Sequence, residues 1–97
     1  MATYVMLTRL SPGAIKAPRD LTQLSRAVDQ RVRQECPGVV WKTNLAVLGP
    51  YDYLDIFEAP DEVAAAKVAM IVRFHGHAQT ETWSALAWER YKKLISE

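Results

Sequence analysis

The sequence predicts an α+β domain in which two helices cover one face of a four-stranded antiparallel sheet, built in the order β-α-β-β-α-β. Three observations carry this. Four segments have the alternating or β-branched character of strands, and two longer ones repeat apolar residues at the helical period. Breakers such as Ser11-Pro12-Gly13, Pro37-Gly38 and Gly49-Pro50 fall between them. With 97 residues there is material for one core and no more, so residues 1–97 form a single domain.

The first strand is Thr3-Tyr4-Val5-Met6-Leu7-Thr8, apolar on both parities and therefore expected to be covered on two sides. A loop from Ser11 to Arg19 follows. From Asp20 the apolar positions Leu21, Leu24, Val28 and Val32 recur at spacings of three and four, with Arg26, Asp29 and Arg33 turned away. This predicts an amphipathic helix, started by an Asp20/Gln23 capping box and stopped after Cys36 by Pro37-Gly38. Val39 to Leu48 supplies the second strand. Its parity is ambiguous, because both faces carry large residues, and either Trp41 or Lys42 is left to reach the interior. Gly49-Pro50-Tyr51-Asp52 is a hairpin turn, and the return strand Tyr51 to Ala59 sets Leu54 and Ile56 against Tyr53, Asp55 and Phe57. A second helix starts at Ala59-Pro60-Asp61-Glu62, with proline at its first position, and runs to Phe74; Gly76 is expected as a left-handed terminator. The fourth strand, Ala78 to Leu86, alternates Thr80, Thr82 and Ser84 with Glu81, Trp83 and Ala85, and Glu89 to Ile95 adds a short C-terminal helix. The order is that of the split βαβ, or ferredoxin-like, arrangement.

Such a sheet has an uncovered face. The hydrophobic share, 49%, is high for so small an interior. Tyr4, Met6, Tyr53 and Phe57 are its expected occupants, and the cheapest cover is a second copy placed face to face about a two-fold axis. The result would be a homodimeric α/β barrel with a small-molecule cavity between each sheet and its helices. Twelve Lys plus Arg against eleven Asp plus Glu provide no basic excess for nucleic acid or an anionic membrane. No apolar run approaches the roughly 20 residues of a membrane span. A lone cysteine, Cys36, excludes an internal disulfide and suits the reducing cytoplasm.

The hairpin and second helix carry a resemblance. Gly49-Pro50-Tyr51-Asp52, Glu58-Ala59-Pro60-Asp61, Ala64-Ala65-Ala66-Lys67, Gly76 and Thr80-Glu81-Thr82 closely resemble the GYD domain family, over Thr3 to about Ile95. That resemblance implies a ferredoxin-like protomer, an α/β-barrel dimer and a bacterial or archaeal source, and it implies no reaction. Members commonly have apolar or small residues at the place of Asp55, and His75 and His77 fall outside the signature.

The candidate chemistry is confined to a few side chains. Asp55, flanked by Tyr53 and Phe57, would have a raised pKa in an apolar pocket and could act as a general base; its plainer reading is an ion pair with Lys42 or a place in open water. His75 and His77, around Gly76, suit proton relay, but a metal would need a distant third ligand, and none is expected. Tyr4, Tyr53, Phe57 and Trp83 could stack a planar ligand, and Glu81 could join Asp55 in the cavity; otherwise they are core or edge residues. No nucleophile elbow or glycine-rich phosphate loop is present, so no cofactor is expected. The pattern fits best a binder of a small, partly aromatic molecule, or else a cofactor-independent isomerase, cyclase or monooxygenase using Asp55, with His75 or His77 assisting.

Overall fold

The structure is a computed structural model of the full chain, described for residues 1–13 and 16–96. It contains β1 (Ala2–Leu10), α1 (Pro18–Glu35), β2 (Val40–Ala46), β3 (Tyr53–Ala59), α2 (Glu62–His75), β4 (Ala78–Ala85) and α3 (Trp88–Ser96). The sheet is antiparallel throughout, in the order β2-β3-β1-β4. This is the ferredoxin-like α+β fold expected from the sequence, with the C-terminal helix appended.

The expected faces are reversed in one respect. Tyr4 is opposite Phe57, Met6 opposite Asp55 and Thr8 opposite Tyr53, so all six point the same way, and that way is toward the helices. Tyr4, Met6 and Phe57 are buried there with Val32, Val68, Ile71 and Val72, and the Tyr4 and Phe57 rings stack at 5.7 Å. They do not occupy the open face. That face belongs to the other parity: Val5, Leu7 and Arg9 of β1, Leu54 and Ile56 of β3, and Glu81 and Trp83 of β4. Period-2 alternation assigns residues to two sets without saying which set the helices cover, and here the Tyr4 and Phe57 set went inward.

Helix starts and stops also differ in detail. The residue preceding α1 is Ala17, and Asp20 sits three places into the motif, where its carboxylate accepts from the Ala17 N–H at 3.0 Å and the Lys16 N–H at 3.2 Å. The helix thus begins three residues earlier than the Asp20/Gln23 pattern suggests, with proline at its first turn. Residues 14 and 15, in the middle of the predicted Ser11–Arg19 loop, lie outside the described residues. For α2 it is Asp61, not Pro60, that marks the boundary: its side chain accepts from the Ala64 N–H at 2.9 Å.

Gly76 does not take the left-handed backbone expected of it; its φ is −95°, and His77 takes the positive value, 50°. The glycine is required for space instead. A Cβ at this position would come within 2.5 Å of the Val72 carbonyl oxygen and 3.3 Å of Val28 Cγ2, so α1 and α2 approach each other over a bare backbone.

The Gly49-Pro50-Tyr51-Asp52 turn is tied to the end of β1. Asp52 donates its N–H to the Thr8 carbonyl at 2.8 Å and accepts from the Leu10 N–H through Oδ2 at 2.8 Å, while Arg9 Nε donates to the Pro50 carbonyl at 2.7 Å. Tyr51 crosses the open face to donate its hydroxyl to Glu81 at 2.6 Å, with the Arg9 guanidinium 5.2 Å from its ring centre. Asp52→Ala should lower stability by about 1 kcal/mol, since it removes a charge-assisted hydrogen bond at a partly wet site. Thermal melts will check this, and an unchanged midpoint would show that the tie adds nothing.

Candidate functional site

The side chains that could do chemistry are brought together by the way α1 sits. Its C-terminal half is sealed onto the sheet by Val32 and Cys36, both buried, whereas Leu24 and Val28 are only partly covered and Leu21 is exposed. The N-terminal half therefore stands off the sheet. Beneath it is a cleft of about 740 Å³, floored by Met6, Thr8, Tyr53 and Asp55, walled by Leu21, Leu24 and Val28, and bounded by Trp41 and Asn44 from β2. Gly76 and Ala78 close its inner end.

Asp55 is the one carboxyl on the floor. Burial pushes its carboxyl from an ordinary 3.8 up to about 6, because the charged form loses hydration that nothing replaces. Among the described residues no side chain pairs with it: Lys42, the partner the sequence offered, lies 3.7 Å from Glu58 instead. Across the strand pair, the Thr8 hydroxyl oxygen is buried and has no hydrogen-bond partner among the described residues. Tyr53, also on the floor, has its phenol pushed up, first by burial and then by Asp52 and Asp55. A carboxylate, a bare hydroxyl and a phenol on an otherwise apolar floor can hold a molecule with an apolar body and one or two polar edges.

The ambiguity of β2 is resolved by a bulge. Between Trp41, opposite Phe57, and Thr43, opposite Ile56, the register skips Lys42. Trp41 and Asn44 both then turn to the helix side, where the Trp41 ring meets Phe57 at 5.3 Å and both residues border the cleft.

The other sequence-predicted residues are elsewhere. Tyr4 and Phe57 are core, on the same sheet face as the cleft floor but outside its lining. Glu81 and Trp83 are on the open face, opposite Leu7 and Val5, so the sheet itself separates them from Asp55. Their parity on β4 is the reason: Thr80, Thr82 and Ser84 are the residues turned toward the helices. His75 and His77 are exposed at the end of α2, outside the cleft lining, and no cluster of three potential metal ligands occurs among the described residues. Cys36 is buried and its thiol pKa is raised, by loss of hydration before any effect of Lys67 or Glu35. Sequence reasoning missed Thr8, Asn44 and the cleft-lining role of Leu21, Leu24 and Val28. Thr8 was within reach, as the one polar member of the inward Tyr4, Met6, Thr8 set.

No helix among the described residues is long and apolar enough to cross a membrane. A family model described as "GYD domain" matches residues 4–95. The chain is also similar to a Thermus thermophilus protein named "Glutamine synthetase and cystathionine beta-lyase binding protein", with 27% identity over 86 residues, which is 89% of this chain and 90% of that one.

Proposed function

The chain belongs to the GYD domain family, and from that premise we propose that it is a homodimeric α/β-barrel module that binds a small, partly aromatic molecule in the cleft under α1. The observation that carries this is Asp55, an unpaired and poorly hydrated carboxyl on the floor of a cleft, beside the unpartnered Thr8 hydroxyl. Buried polar groups without partners are rare in folded proteins, and the Thr8 hydroxyl is one, on the same floor as the half-buried Asp55. Tyr53 and Trp41 supply the flat apolar surfaces against which a ring would lie. The homodimer is supported by the open face, where Val5, Leu54, Ile56 and Trp83 form an apolar surface, with Trp83 51% exposed. The lone buried thiol fits a cytoplasmic setting.

A thermal-shift screen of quinones, phenols, flavin and haem, run beside sedimentation at micromolar concentration, tests both parts. We expect a dimer, and at least one compound whose shift is lost in Tyr53→Ala. A flat screen at millimolar ligand would overturn the binding reading, and a monomer would overturn the barrel.

A second reading makes the same carboxyl a general base in a cofactor-independent isomerase, cyclase or monooxygenase. A carboxyl titrating near 6 is ionised at neutral pH and still basic enough to accept a proton from a weak carbon or phenol acid. His75 and His77 would assist only from outside the cleft. The Thermus relative's name speaks of binding enzymes, which makes a protein partner for this chain a further reading of the same module.

A further inference from the structure

We propose that α3 is an arm: in the homodimer, the apolar side of each α3 lies in a groove that the other copy forms between the end of its α1 and the start of its α2. This rests on the homodimer reading above. Four features point to it.

The first is that α3 is built to dock and has nothing to dock on. Trp88, Tyr91, Leu94 and Ile95 share one side, the Trp88 and Tyr91 rings stack at 5.6 Å, and no described residue of the helix is buried. Nine residues are too few for a helix to hold its shape in water without packing. The protomer is correspondingly drawn out, 53 Å along its longest axis, with a radius of gyration of 14.6 Å. A compact chain of this length has about 13 Å.

The second feature is the groove. It is an apolar hollow of about 270 Å³ whose lining includes Pro37, Val39, Pro60 and Val63. Its floor is close-packed, since a Cβ on Gly38 would meet Pro60 Cγ at 3.0 Å.

The third is where the chain ends lie. Ala85 is opposite Thr3, Thr3 opposite Glu58 and Glu58 opposite Val40, so the last residue of β4 and the first of β2 are level along the strand direction. Within one copy they are three strand spacings apart, about 14 Å. Only Leu86 and Ala87 separate β4 from α3, and the three steps from Ala85 to Trp88 span about 11 Å at most. Trp88 therefore falls short of the start of its own β2, where the groove residues Pro37 and Val39 lie. A two-fold axis parallel to the strands changes this. It sets the β4 edge of one copy beside the β2 edge of the other, antiparallel and still level, and closes the barrel. The end of β4 then arrives at the other copy's Val40, and the groove residues immediately precede Val40.

The fourth is charge. Beyond the Lys92–Glu89 pair α3 carries Arg90 and Lys93, while the groove is bordered by Asp61, by Lys67 and by Glu35, which Arg31 pairs, so the seat brings no excess of like charge together.

Cysteine pairing on the full chain tests the arm. In a Cys36→Ala background, a chain carrying Val63→Cys is co-expressed with one carrying Leu94→Cys, and the product is treated with a short bis-maleimide. We expect a dimer-sized band on a denaturing gel from the mixture, and none from Val63→Cys alone. A third chain carrying both substitutions should give the same dimer-sized band. If it closes on itself while the mixture gives nothing, α3 packs on its own body and the arm is wrong. Absence of any cross-link in protein that sediments as a dimer overturns the arm and leaves the homodimer standing; a monomer removes both.

Discussion

At pH 8 the Asp55→Asn variant is expected to unfold at a higher temperature than the native chain, while at pH 4 the two should be nearly alike. The reason is the loss of hydration at the cleft floor. In the unfolded chain the carboxyl titrates near its ordinary 3.8, and in the folded chain near 6. Between those values the native state holds a proton that the unfolded state has released, so stability falls as pH rises through that window and stays low above it. Two pH units correspond to nearly 3 kcal/mol, which the residue's partial exposure reduces to on the order of 2 kcal/mol. For a domain of this size that is roughly 8–16 °C in melting temperature. Asparagine removes the charge and keeps the shape. Melts at half-unit steps from pH 4 to 8 measure the difference, and parallel curves at all pH values would mean that Asp55 is well hydrated and unsuited to accept a proton from a ligand. A protein kept less stable than it need be by a single carboxyl is what a binding or catalytic role for that carboxyl would require.

Gly76→Ala should be the most damaging single-methyl addition to this chain. The new carbon would lie 2.5 Å from a main-chain oxygen of the same helix and 3.3 Å from Val28 of the facing one, and neither is a flexible chain end. Accommodating it means moving the end of α2 or lifting α1, at a cost of about 1–3 kcal/mol. Gly49→Ala is the matched control. No atom lies within 4 Å of the Cβ it would add, and Gly49 is not among the glycines with positive φ, so its midpoint should hold or rise slightly. Chemical denaturation of the two variants decides the matter: equal stability would show that the helices do not approach as closely as described. Because Gly76 and Val28 both line the cleft, Gly76→Ala should also change the affinity of any compound found there.

These two positions show how far the sequence can be read. The order of elements and their types follow from periodicity and punctuation, and they hold because each helix has its stripe and each turn its breaker. Asp55 stood out by chemistry alone, as a charge in the middle of an apolar strand. What could not be read is which side of the sheet is which. Tyr4 and Phe57 are as suited to an exposed interface as to a core, and only their pairing opposite one another, under Val32 and Val68, decides it. Asn44 was hidden by the bulge at Lys42, because one unpaired residue inverts the parity of everything after it. Gly76 was identified as special for the wrong reason. Its role depends on Val28, 48 positions away in the chain, and local pattern carries no trace of such a contact. Glu81 and Trp83 went astray with the face assignment, being correctly paired in the sequence reading and placed on the opposite side by the fold.

The way α1 is held has a further consequence for how members of such a family diverge. Pinned at one end and free at the other, the helix is a cantilever, and the gap beneath it is set by its tilt rather than by the sheet. Exchanging Leu21, Leu24 or Thr22 for larger or smaller side chains would re-size the chamber while Val32 and Cys36 keep the anchor intact. New specificities could thus be sampled along the upper span with little penalty to folding, and the anchored end need encode only the hinge.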